Sequence, residues 1–497
     1  MTALTIESIG FVGLPLLPLV AVTAIAMVVL LVGVRVADEH SERLGWLSLG
    51  GLAIALVLAL ALVGHTGSAF SGAIAIDNFA AYFEIAIIIT AAASILLSLD
   101  YAREHRLPGA EYYALVLFAT LGMMLMAVAG DLIVIFLGLE TMSIAVYALA
   151  GLARREARSS EAALKYFLLG AFSTGFLLYG IALIYGATAT VKLEVIRAAV
   201  SGEAGSNPLL LLGVGMLLVG FGFKVAAVPF HSWAPDVYQG APTPVTAFMA
   251  VGVKLGAFAA FVRLFLVALE PLGPQWSWVL WVLAALTMTA GNLTALVQGN
   301  IKRMLAYSAI AHAGYVLVGM TAGDSAAGGA ILYYLVAYGL ANLGAFGVVI
   351  ALERRGGAGE SITDYRGLSS REPALAATMA IFLLSLTGVP PLAGFVGKFY
   401  LFSAAVDRGL VGLVIIAVIN SVVSAYYYLY VIVAMYMEQG VPVVARMAAR
   451  PALVAAIALA AIGTVLVGVY PEPPMSAAAN AFVSALGPAA RAMSLLP

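Results

Sequence analysis

The chain has 497 residues, of which 63% are hydrophobic and only 10% charged, with a formal net charge of −1 and a mean hydropathy of +1.06. Soluble domains carry about a quarter charged residues, so a water-soluble fold is excluded, and a net charge near zero gives no case for nucleic acid. The absence of cysteine removes disulfides, thiolate metal sites and cysteine-held iron–sulfur clusters.

Apolar runs of about 20 residues, the length that carries a helix across the hydrocarbon core, recur along the whole chain. Their length, in place of ~10-residue alternation, sets aside an outer-membrane barrel. The opening "MTALTIESIG" has an acid and no base before Arg35, so the first run reads as a retained helix and not as a cleaved signal. About fourteen spans are predicted, near 11–36, 44–64, 77–99, 110–129, 131–151, 161–186, 208–239, 242–269, 276–297, 301–322, 326–353, 371–408, 409–437 and 450–470. The seventh and twelfth exceed one crossing and hold prolines: Pro229 and Pro235 in "VPFHSWAP", Pro390 and Pro391 in "VPPLAGF". Proline deletes a backbone donor and clashes with the preceding turn, so both spans are expected to be discontinuous.

Fifteen of the 24 Lys and Arg fall in the loops after spans 1, 3, 5, 9, 11 and 13, and four fall in the opposite loops and the C-terminal tail (Lys192, Arg197, Arg408 and Arg491). The positive-inside rule then puts the first set in the cytoplasm and both termini outside, in the periplasm. Five bases remain within spans: Lys165, Lys224, Lys254, Arg263 and Lys398. Arg263 and Lys165 are near enough to span ends to snorkel; the other three are deep. Each half holds one proline-broken helix, with the nearest lysine before the break in the first half and after it in the second. That reversal fits an inverted repeat, in which broken helices mark the ion site.

A charge at mid-bilayer costs at least about 2.5–3.5 kcal/mol on insertion scales. Glu140, Lys224, Lys254, His312 and Lys398 all lie deep in predicted spans. Removal from water disfavours the charged form of any ionisable group, so a chain of them, linked by water, forms a proton path. Taken singly, each has a plainer use. Glu140 and Lys224 would serve as a helix-bridging pair, His312 as a hydrogen-bonded core histidine, Lys165 as an interface residue, and His231 as a cap for carbonyls freed at the break. The set is more persuasive than its members. Glu140 is the only clear deep acid, and lysines repel cations, so protons are favoured over Na⁺. No G-x-x-x-x-G-K-[ST] phosphate loop is present and no bis-histidine haem site fits, so the energy must come from a partner.

The stretches "FKVAAVPFHSWAPDVYQGAPTPVTAF", "NLTALVQGNIKRMLAYSAIAHAGY" and "SLTGVPPLAGFVGKFYLF" resemble the antiporter-like membrane subunits of respiratory complex I, over roughly residues 75 to 440. The resemblance implies fourteen helices with two inverted five-helix repeats, spans 4–8 and 9–13. The chain then divides into 1–109, 110–269, 276–437 and 450–497. It further implies that Glu140 pairs with Lys224, that Lys254 and His312 carry a central hydrophilic axis, that Lys398 is an exit group, and that Lys165 occupies a recurrent lysine position. The expected activity is proton translocation from cytoplasm to periplasm in a bacterial inner membrane, as a non-redox part of NADH:quinone oxidoreductase. The chain is expected to bind no cofactor and no metal; NADH, FMN, iron–sulfur clusters and quinone belong to other subunits. Expected partners are neighbouring membrane subunits and lipids. "DVYQGAPTPVTAF" and a lysine at 398 favour this reading over multisubunit Na⁺/H⁺ antiporters, the first alternative; the second is a structural subunit without transport.

Overall fold

The computed structural model describes residues 13–36, 40–354, 358–439 and 450–486. The N-terminal decapeptide, read above against a cleaved signal, and Arg355, Arg446 and Arg491, counted above in orienting the chain, lie outside these. The described chain is almost wholly helical. In order it runs α1 (Leu17–Gly33), α2 (Glu42–Ala61), α3 (Asn78–Glu104), α4 (Gly109–Ala127), α5 (Leu132–Ala150), α6 (Ala157–Thr188), α7 (Leu193–Val200), α8 (Pro208–Val225), α9 (Trp233–Gly240) and α10 (Thr243–Ala268). It continues with α11 (Gly273–Ala295), α12 (Ile301–Ala322), α13 (Ser325–Leu352), α14 (Pro373–Thr387), α15 (Ala393–Asp407), α16 (Val411–Met437), α17 (Pro451–Val469) and α18 (Glu472–Ala485).

The starts are written into the sequence. Asp77, Asp131, Asn300 and Asp324 each accept a backbone N–H from the first turn of the following helix, at 2.8, 2.7, 3.1 and 2.8 Å, satisfying donors that have no partner inside it. Pro208, Pro373 and Pro451 stand at first positions, where a missing N–H costs nothing.

Among the described residues, twelve helices are long and apolar enough to cross a membrane. Every one of the fourteen predicted windows holds a helix, but two windows hold shorter pieces. α1 has 17 residues, and the window 371–408 holds α14 and α15 of 15 residues each. Both expected breaks are present, α8 from α9 and α14 from α15, and each contains a cis proline bond, Val228–Pro229 and Pro390–Pro391. Pro235 is not in the break. It occupies the first turn of α9, where the helix has no use for its missing donor.

Three features were not foreseen. A small antiparallel hairpin pairs Gly67–Ala69 with Ile74–Ile76. Within α10, two π-helical stretches interrupt the α-helix, Met249–Val253 and Arg263–Ala268. The tail after 470 begins with α18, whose Phe482 packs on Gly328 of α13 and whose Ser484 hydroxyl accepts the N–H of Phe79 at 3.1 Å.

Packing places the axis. α10, α12 and α13 are buried along nearly their whole length, whereas α6 and α16 turn Phe172, Ile415 and Val422 outward, at 71, 55 and 70% exposure. Helices that are apolar and yet exposed face lipid or a partner. Several helix pairs interlock through glycine. A Cβ on Gly122 of α4 would lie 2.6 Å from the Gly138 carbonyl oxygen of α5, and one on Gly314 of α12 would lie 2.8 Å from the Met288 nitrogen of α11.

Candidate functional site

The first cluster is built by α5, α6 and the end of α8. Lys224 stands in the last turn of α8, 2% exposed. Its ammonium donates to Ser143 Oγ at 2.6 Å and Tyr147 OH at 3.2 Å. Ring centroids of Tyr147, Tyr166 and Phe223 lie 5.2, 5.7 and 5.9 Å away, close enough for cation–π attraction. Glu140, Ser143 and Tyr147 follow one another by three and four residues, so they share a face of α5. The expected direct Glu140–Lys224 ion pair is not formed. Thr174 of α6 holds the Glu140 carboxylate at 2.7 Å, while Ser143 and Tyr147 take the ammonium, so each charge is met by hydroxyls of its own.

Beside it the chain turns out of helix at Ala226, whose φ is +60°. The freed groups are caught by side chains from elsewhere. Thr287 Oγ1 accepts from the Val228 N–H at 2.9 Å, and Trp233 Nε1 donates to the Phe223 carbonyl at 3.0 Å. The break is therefore a pinned structure, with Pro229 inside it. His231 lies in the same segment, half-buried, with its Nδ1 buried and without a hydrogen-bond partner among the described residues.

The second cluster gathers four helices around His312. Lys254, 3% exposed, begins immediately after the first π stretch of α10; such bulges occur frequently at functional sites. Its ammonium donates to the Ala309 carbonyl of α12, one turn before His312, and sits 5.8 Å from the Tyr338 ring. His312, 4% exposed, meets Tyr334 OH through Nδ1 at 2.5 Å and Tyr428 OH through Nε2 at 3.2 Å. Both ring nitrogens thus face hydroxyls that donate or accept, and the imidazole has a partner as either tautomer or as the cation. The Tyr338 and Tyr315 rings lie 5.1 and 5.6 Å from it.

Lys398, 4% exposed, reaches back across the second break. It donates to the Leu386 and Thr387 carbonyls at the end of α14, at 3.1 and 2.9 Å, and to Ser421 Oγ of α16 at 2.8 Å. Unpaired carbonyls at a helix C-terminus carry partial negative charge, which is what an ammonium there needs. The Tyr315 ring, 4.6 Å from Lys398, stands between it and His312. Around it an amide–phenol network runs from Tyr427 through Asn292 to Tyr315 and Asn420.

Lys224, Lys254 and Lys398 have no carboxylate partner among the described residues; hydroxyls, carbonyls and ring faces meet their charge. Tyrosine rings rather than a continuous hydrogen-bond chain connect Lys254, His312 and Lys398, Tyr338 touching the first two and Tyr315 the last two. The structure does not join Lys224 to Lys254. Among the described residues no hydrogen bond links them, and the α8–α10 contact is aromatic, Phe221 stacked on Phe261 at 4.9 Å.

Lys165 lies apart from both clusters. It is 41% exposed and pairs with Glu161 and Asp236 at 2.8 and 2.7 Å, in a surface set that includes Arg303. Arg263 does not snorkel. It is 5% exposed and clasps Asp77 through two bonds of 2.7 and 2.9 Å; the second π stretch of α10 begins at this residue. Two buried carboxylates escaped sequence reading. Glu84 of α3 is 1% exposed with Oε1 unpartnered among the described residues, and Glu353 accepts from Tyr101 OH at 3.1 Å and from Thr243 Oγ1.

Residues 129–424 match the NADH:quinone oxidoreductase/Mrp antiporter transmembrane family. NADH-quinone oxidoreductase subunit N of Trichlorobacter lovleyi is 49% identical over 90% of this chain and 92% of its own, and that of Chloroflexus aggregans 48% over the same shares. Among solved structures, a chain of respiratory complex I from Thermus thermophilus with bound aureothin superposes with a TM-score of 0.79. It is 37% identical and covered over 93% of this chain and 99% of that one. A chain of the Mrp complex from Dietzia sp. DQ12-45-1b reaches 0.81 at 22% identity, over 96% and 99%, a likeness of fold alone.

Proposed function

The chain belongs to the NADH:quinone oxidoreductase/Mrp antiporter transmembrane family, and from that premise we propose that it is a proton-translocating membrane subunit of a bacterial NADH:quinone oxidoreductase. Redox chemistry in other subunits supplies the energy, and neighbouring membrane subunits are its partners. The observation that carries this reading is the tract Lys254–His312–Lys398, whose buried cations lack counter-ions among the described residues and whose central imidazole has a hydroxyl at each nitrogen. A fixed structural charge is best served by a fixed opposite charge; a group that gains and loses a proton is better served by neutral dipoles that suit both states.

In this reading Lys254 receives a proton and His312 passes it by exchanging tautomers between Tyr428 and Tyr334. Lys398 holds it against the α14 carbonyls until release. Glu140, on the face of α5 that also carries Ser143 and Tyr147, sets how firmly the first cluster keeps its proton. The aromatic block between Lys224 and Lys254 separates loading from transfer until water enters. Protons move from the arginine-rich face, taken as cytoplasmic, to the periplasm, with both termini on the periplasmic side. Fourteen crossings divide at 1–109, 110–269, 276–437 and 450–497, and the two middle parts are inverted repeats. Na⁺ exchange is disfavoured because the deep groups that line the tract are ammonium and imidazole.

The test is Lys254→Met in the assembled enzyme, scored in inverted vesicles as protons moved per quinone reduced. The ratio is expected to fall with assembly intact. Parental pumping in fully assembled enzyme would overturn the reading, and Na⁺-dependent exchange would replace it with antiport.

A further inference from the structure

A cavity of about 760 Å³ opens at the arginine-rich face, among the end of α3, the loop before α6, the α9–α10 corner and the end of α13. That is within the ~300–1,000 Å³ typical of ligand sites. Its walls carry Arg106, Arg154, Arg155, Arg158, Arg354 and Lys302 against three carboxylates. Two of those carboxylates are already engaged. Glu353 is held by Tyr101 and Thr243, and Glu360 by Asn300 at 3.1 Å and Lys302 at 3.5 Å. By contrast, no side-chain hydrogen bond or ion pair among the described residues engages Arg106, Arg154 or Arg155. A mouth that gathers protons would not be ringed by cations, since like charge lowers the local hydronium concentration. The cavity is therefore not the intake of the tract above; its charge calls for an anion.

A second feature says which anion. The loop bearing Arg154 and Arg155 leads directly into α6, where Leu164, Leu168 and Phe172, four residues apart, make an outward strip 58, 56 and 71% exposed. Guanidinium groups at the head and an apolar strip running into the bilayer match one amphiphile. We propose that the cavity binds the phosphate headgroup of an anionic phospholipid, whose acyl chains lie along the α6 strip. Guanidinium binds phosphate bidentately, and basic pockets at the cytoplasmic ends of membrane helices select anionic headgroups.

The experiment uses the assembled complex in nanodiscs of phosphatidylcholine carrying spin-labelled phosphatidylglycerol, with the immobilised fraction read by electron paramagnetic resonance. Arg154→Gln with Arg155→Gln should weaken retention of phosphatidylglycerol roughly 30-fold, from two cations removed near the surface, and Arg154→Lys with Arg155→Lys should restore most of it. Leu164→Ser with Leu168→Ser, which leaves every charge in place, should also weaken it. Equal immobilisation in the double glutamine variant, or of labelled phosphatidylcholine, overturns the proposal. Displacement by millimolar inorganic phosphate without loss in the serine variant assigns the site to a free anion and also overturns it. Absence of immobilised lipid from the parental complex gives the strip to a neighbouring subunit and overturns it likewise.

Discussion

Replacing Lys398 by arginine separates a structural charge from a titrating one. Among the described residues the Lys398 ammonium is the only side-chain donor to the Leu386 carbonyl, while the Thr387 carbonyl also accepts from Ser421 at 3.2 Å. Lys398→Met therefore leaves one buried carbonyl without a partner, a cost of about 1–3 kcal/mol. Lys398→Arg keeps donors at both carbonyls and keeps the charge over Tyr315. It must fit beside Gly388, where a Cβ would already lie 3.1 Å from the lysine chain, an overpacking cost of about 1–3 kcal/mol. The two variants are thus expected to lose similar, survivable stability. They differ in chemistry, because arginine is not deprotonated in proteins and methionine never carries a proton. If Lys398 must both hold and release a proton, both variants stop pumping. If its charge only anchors the second break, arginine preserves function and methionine does not. The assay is the proton-to-quinone ratio in inverted vesicles, with assembly followed by native gel and thermal melt. An arginine variant that pumps at the parental ratio would refute the reasoning.

Removing both hydroxyls that hold Lys224, with Ser143→Ala and Tyr147→Phe, deletes two bonds to a charged group at about 1.5–3 kcal/mol each; pumping should fall at least about tenfold in a steady-state vesicle assay. His312→Phe removes both proton-exchanging nitrogens, and should abolish pumping while spectroscopic helicity and subunit content stay parental. Arg263→Ala removes the buried cation paired with Asp77, which keeps its capping bond to Ala80, and is expected to cost about 3–5 kcal/mol, seen as lost assembly on a native gel. Adding Asp77→Ala removes the uncompensated charge and should recover part of it, less about 1 kcal/mol for the lost cap of α3. Lys165→Ala touches only an exposed network, so melting should shift by no more than about 1 kcal/mol and transport should stay parental.

Depth of charge along the chain was readable because apolar spans are long and charges within them few: Glu140, Lys224, Lys254, His312 and Lys398 all fall at or beside the two clusters. Both breaks were readable because proline leaves an unambiguous mark in a helix. The partners were not. Tyr147, Tyr334 and Tyr428 are apolar enough to pass as core, and only the three-dimensional meeting of α5, α12, α13 and α16 shows their hydroxyls turned to Lys224 and His312. Sequence position put Arg263 and Lys165 alike near span ends, yet one is buried against Asp77 and the other lies on the surface. The difference is set by the neighbouring helix, α3 for one and α9 for the other. The π stretches left no signal either, since a slightly wider turn alters no apolar pattern that a 26-residue buried helix displays.

The glycine contacts between α4 and α5, and between α11 and α12, have a mechanical consequence. With backbone resting on backbone, neither pair can slide without collision, so each moves as a stiff beam. Bending is then left to the places where the helical hydrogen-bond ladder is interrupted. Those include the Ala226–Ser232 and Gly388–Leu392 breaks and the first π turn of α10, which adjoin Lys224, Lys398 and Lys254 in turn. These three buried ammonium groups therefore stand beside interruptions of the helical ladder, the first of which is held in place by Thr287 and Trp233.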